Sequence, residues 1–213
     1  MCRRALVNLL FAFVFAVPCF AQESNVAPLA TSSSVAQDTA KAAPSPQTKL
    51  EELLESKGSI IVKDFYNLGS LDKKMLFARE TQLEIEALVV TAYAGASKTY
   101  GIRVTCKPSA SYDIERTSYL DFDECLALSA ALSDLVDLAP KLGVEQREYT
   151  EAIWTSRGGL VVGFFQQGQK QQGFWKVGGP IGGKSVFMDM KNFAILRDIA
   201  NKGIEKLRAL GAK

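Results

Sequence analysis

The chain writes one local pattern twice, and a duplicated unit constrains a fold more tightly than any composition does. A strand-like stretch ending in Leu120-Asp121 runs into an amphipathic helix, and 68 residues further on (189 − 121) Met188-Asp189 does the same. Setting Asp121 on Asp189 pairs Phe122 with Met190, Cys125 with Phe193, Leu128 with Leu196, Ala131 with Ile199 and Val136 with Ile204. These positions recur at helical spacing, so each copy carries one apolar stripe. An Asp ahead of a stripe accepts hydrogen bonds from the open amides of a first turn, which predicts Asp121 and Asp189 as helix caps. Glu124, three residues after Asp121, completes a capping box.

The rest of the chain falls into place around these helices. Leu50, Leu53 and Leu54 share one face of a short helix that Gly58 can end. Residues 59–65 read as a strand and 67–80 as a connection or short helix. Residues 83–93 alternate as a long strand, Gly95 to Lys98 is turn chemistry, and 100–106 returns as the hairpin partner. Residues 112–120 make a fourth strand. The first main helix spans 122–139, closed by Pro140 and Gly143. The second half repeats the order with strands at 149–155, 160–165, 173–177 and 184–188, a turn at Arg157-Gly158-Gly159, and a helix from 190 to about 210. The expected fold is α+β: two consecutive β-β-β-β-α units, about 59–143 and 144–213, forming antiparallel sheets packed against two main helices.

This order of elements is similar to that of the Whirly and Pur-type single-strand-binding proteins, whose repeats are also four strands and a helix. The resemblance is one of topology. It implies a single-stranded nucleic-acid ligand as one alternative, which predicts a basic, aromatic-bearing sheet face.

Residues 1–21 have the three parts of a secretory signal peptide: Arg3 and Arg4, an apolar run over 5–17, then Pro18 and Cys19-Phe20-Ala21. The 13 apolar residues (17 − 5 + 1) are too few to span a bilayer core of ~30 Å, which argues against a membrane anchor. A lipoprotein would use Cys19, but Ala16-Val17-Pro18 is not the usual lead-in. Residues 22–48, rich in Ala, Ser, Thr, Gln and Pro, read as a disordered tether, and 49–213 as one domain. Removing Arg3 and Arg4 takes the basic count from 25 to 23, equal to the 23 acidic residues. A neutral chain lacks the electrostatic footprint of a nucleic-acid binder. Residues 50–143 carry 10 basic and 15 acidic side chains and 144–213 carry 11 and 6, so the halves are oppositely charged. The halves attract each other within one domain, or the molecule self-associates head to tail.

Residues Gly178 to Ser185 match the phosphate-loop pattern G-x-x-x-x-G-K-S. That pattern cradles phosphates because a helix begins directly after it. The repeat instead equates 184–188 with the strand 116–120, so a glycine-rich hairpin loop is expected. Histidine is absent from the chain, which removes the commonest general base and most zinc and copper sites. Asp121, Asp123 and Glu124 are the densest acidic group, and helix capping accounts for them.

Cys106 and Cys125 both point inward on this pattern and are a candidate disulfide, closing a loop of about 20 residues for ~3 kcal/mol; the alternative is two buried thiols. Phe164, Phe165, Phe174 and Trp175 form two adjacent pairs, and within each pair one ring must face away from the core. Such rings suit a partner surface, or else burial beneath the second helix. The expectation is an exported, non-catalytic binding or assembly protein, periplasmic or extracellular, with a protein partner or itself, and without cofactor or metal. The competing class is an enzyme using carboxylate or Ser-Lys chemistry. A deep pocket of convergent charges favours the enzyme; a sheet face with exposed aromatics favours binding.

Overall fold

Strand alternation and two helical stripes build the molecule. The computed structural model describes residues 47–71, 81–93, 97–108, 114–179 and 181–213. A short helix, α1 (Lys49–Leu54), leads into β1 (Ile61–Leu71), β2 (Thr81–Ala92), β3 (Lys98–Pro108), β4 (Arg116–Asp121) and α2 (Phe122–Leu142). The second unit repeats this with β5 (Arg147–Thr155), β6 (Val161–Gly168), β7 (Lys170–Val177), β8 (Lys184–Met188) and α3 (Asn192–Ala209). The fold is α+β, with two antiparallel four-stranded sheets ordered β1-β2-β3-β4 and β5-β6-β7-β8.

In β2, Leu83, Ile85, Ala87 and Val89 enter the main core, while Leu88 and Val90 are buried on the opposite side with Leu50 of α1. The unbroken apolar run at 87–90 therefore marks a strand covered on both faces. The helices α2 and α3 pack on each other. Although α3 follows the second sheet, it lies against β1, β2 and β3, while α2 touches β3 and β4 as well as β5 and β6. One continuous core results, and Phe164, Trp175 and Phe193 are its largest fully buried side chains. Burial of each such side chain contributes ~2–3 kcal/mol.

Several sequence expectations need correction. The first strand continues to Leu71 instead of stopping near 65, because its register shifts between Asn67 and Gly69, where Gly69 takes φ +150°. A bulge adds one residue and reverses the alternation, which hides the rest of the strand from a period-two reading. The helix α2 runs through Pro140 to Leu142, and Gly143 N–H closes it on the Ala139 carbonyl at 3.0 Å. Asp189 does not cap α3, whose N-cap is Lys191. Its carboxylate accepts from Lys191 N at 3.1 Å and its carbonyl from Asn192 N at 3.0 Å, so it stabilises the turn that brings Asn192 and Phe193 into the core.

Cys106 and Cys125 face the core as expected, but they are two buried thiols rather than a disulfide. The Cys125 Sγ lies 3.8 Å from the Leu120 carbonyl, and Leu120 pairs with Ile102 across the ladder. Cys106 stands four residues beyond Ile102, about 13 Å along the strand, well past the ~7 Å Cα separation that a disulfide bridges. Burial pushes the Cys125 thiol far above the ordinary range.

The expected signal peptide at 1–21 and the tether as far as 46 lie outside the described residues. Thr48 belongs with the fold: it is fully buried, and its Oγ accepts from Glu51 N at 3.1 Å while its N–H donates to Glu51 Oε2 at 2.9 Å. No helix among the described residues is long and apolar enough to cross a membrane.

Candidate binding face

The second sheet sorts the four aromatic candidates by alternation. Phe164 and Trp175 point inward and are 0% and 1% exposed, so they are core residues and not a partner surface. Phe165 and Phe174 point outward. They are joined on that face by Tyr149 and Ile153 of β5 and Phe187 of β8, three residues that sequence reasoning did not place there. The register that unites them is a cross-strand row: Ile153 pairs with Gly163, Gly163 with Phe174, and Phe174 with Phe187. The four strands had to be aligned before that row could be seen.

The rings form a connected layer. Tyr149 stacks on Phe165 at 6.0 Å, Phe165 meets Phe187 edge-on at 6.3 Å, and Phe187 lies 6.4 Å from Phe174. Each such pair contributes ~0.5–1.5 kcal/mol beyond its area. Together with Ile153 and Lys176 the rings line a shallow depression of about 520 Å³. In the register these residues surround Gly163, where β6 adds no side chain to the face. None could be added, since a Cβ on Gly163 would stand 2.2 Å from the Ala152 carbonyl oxygen. The charged lining is one Glu151 and one Lys176. Glu151 accepts a short hydrogen bond from the Tyr149 hydroxyl, which holds that phenol's proton above its usual range.

The acidic group at the start of α2 is a structural junction. Asp121 occupies the N-cap position of α2 and forms the expected capping box with Glu124, and its carboxylate also serves a second helix: Oδ2 accepts from Lys49 N at 2.9 Å and Oδ1 from Leu50 N at 3.1 Å. Glu124 Oε2 accepts from Asp121 N at 3.2 Å, and its Oε1 from Arg157 N at 2.5 Å. The Arg157 guanidinium clamps Asp123 at 2.8 and 2.9 Å and reaches Asp121 Oδ2 at 3.3 Å. Burial raises the Glu124 pKa, partly offset by the two amides and the Arg157 charge. Burial also pushes the Asp123 carboxyl upward, but the Arg157 hydrogen bond and charge outweigh it and leave Asp123 below its usual range. Gly158 completes the turn because a Cβ there would fall 1.8 Å from the Tyr119 carbonyl oxygen. Arg157 was read only as part of a turn; nothing local in the sequence announces a partner 36 residues back.

The glycine-rich segment after β7 is tied to the first sheet. Gly178 N donates to Ser118 Oγ at 2.9 Å, and Arg116 Nε to the Gly182 carbonyl at 3.1 Å. It is followed by strand β8 and not by a helix, so the phosphate-cradling geometry is missing.

No protein-family model matches this chain, and no curated protein and no solved structure is significantly similar to it.

Proposed function

We propose that this is an exported, non-catalytic binding or assembly protein whose working surface is the outer face of the second sheet. The observation that carries the reading is the connected aromatic layer over Gly163, with Ile153 still 55% exposed and Tyr149 56% exposed. A contiguous apolar patch of this kind costs solubility and marks an interaction site. Its lining balances one carboxylate against one ammonium, which suits an apolar protein surface better than a polyanion. Carboxylate catalysis is disfavoured because the oxygens of Asp121, Asp123 and Glu124 already accept from backbone amides and Arg157.

Two measurements test this. Cell fractionation is expected to recover a shortened chain outside the cytoplasm; a full-length cytoplasmic product overturns export. Binding of the hydrophobic dye bis-ANS is expected to fall severalfold in Phe165→Glu with the circular dichroism unchanged. Unaltered dye binding removes the face from consideration.

A further inference from the structure

We draw no further inference here: the strongest candidate, the aromatic depression on the outer face of the second sheet between Tyr149, Ile153, Phe165, Phe174 and Phe187, belongs to the face already proposed as the working surface, and nothing in the structure shows what covers it.

Discussion

The two sheets present their outer faces to different fates. On the first sheet, α1 lies across the outward side, and Leu50 is buried against Leu88 and Val90, flanked by Leu53, Leu54, Ile61 and Tyr119. Beyond the helix the same face is laced with charge. Arg103 donates to Glu86 at 2.8 Å and stacks 4.2 Å from the Phe65 ring centre, and Lys107 pairs with Glu84. On the second sheet the corresponding layer is Tyr149, Ile153, Phe165, Phe174 and Phe187, without a helix over it among the described residues. The inward stripes match between the units because both fill one shared core, where each substitution is felt by its neighbours. Outward residues answer only to what covers them. Among the described residues, one unit hides its outward apolar residues beneath a strap that the other lacks, and the residues left uncovered there form the candidate site.

The largest expected effect tests the strap. Leu50→Ala should lower stability by about 3 kcal/mol, the usual cost of emptying a fully buried leucine site. Ile153→Ala on the bare face should cost under about 1 kcal/mol, since that side chain is already half in water. Chemical denaturation with an unchanged m-value would measure both. Equal losses would mean that the second face is covered in solution even in the isolated chain. Next comes the junction that pins the strap: Asp121→Ala strands the amides of Lys49 and Leu50 and releases one contact of Arg157. The cost should be about 2 kcal/mol. Hydrogen exchange should accelerate first at Lys49 and Leu50; acceleration spread evenly over the first sheet would refute a local strap.

The same junction carries a pH signature. Burial lifts the Glu124 pKa above its ordinary value near 4.5. A raised folded-state pKa means the folded protein holds the proton more tightly. The Glu124 contribution is therefore fully present below the unfolded pKa and is lost as pH rises through the folded one. Asp123 runs the other way: for its lowered pKa the contribution is present above the ordinary value near 3.8 and lost as pH falls through the folded one. Glu124→Gln should remove the decline in stability on the alkaline side of 4.5, and Asp123→Asn should soften the acid loss. Urea midpoints measured across this range would check both, and unchanged slopes in the two variants would show that the junction does not titrate with folding. Among the described residues the second sheet's face has no buried carboxylate, so Phe187→Ser should leave the pH profile as it was.

What the sequence revealed follows this inside–outside division. The helical stripes and the strand order were legible because core packing enforces the periods of 3.6 and 2. Phe164 against Phe165 and Phe174 against Trp175 were known to split, but not which way, since two adjacent aromatic residues satisfy either register. The face at Ile153 and Phe187 requires pairing across four strands, and a single strand holds no record of it. Asp121 was legible as the cap of α2, where its capping box with Glu124 is present, but its further contact with α1 was not, because Lys49 is 72 residues away. Asp189, at the matching place in the second unit, lacks an Arg157 and an α1, and its carboxylate turns to the adjacent Lys191 amide instead. The helix start moved with it.

The smallest expected effect separates the strap from the charges beside it. Lys107 and Glu84 form a close ion pair on the first sheet's outer face, with the lysine side chain 42% exposed. The hydrogen bond to Glu84 raises the Lys107 pKa, ahead of an opposing cost from burial. Water and salt screen such a pair, and ordering two long side chains costs entropy, so its net worth is small. Lys107→Ala should therefore cost at most about 0.5 kcal/mol at low salt. The difference should vanish in ~1 M salt, where the screening length falls to ~3 Å. Leu50→Ala should keep its full cost under the same conditions, because apolar burial is not screened. If Lys107→Ala proved as damaging as Leu50→Ala and insensitive to salt, the first face would be closed by its charge lattice and not by α1. The absence of that lattice, rather than of a strap, would then explain why the second face is bare.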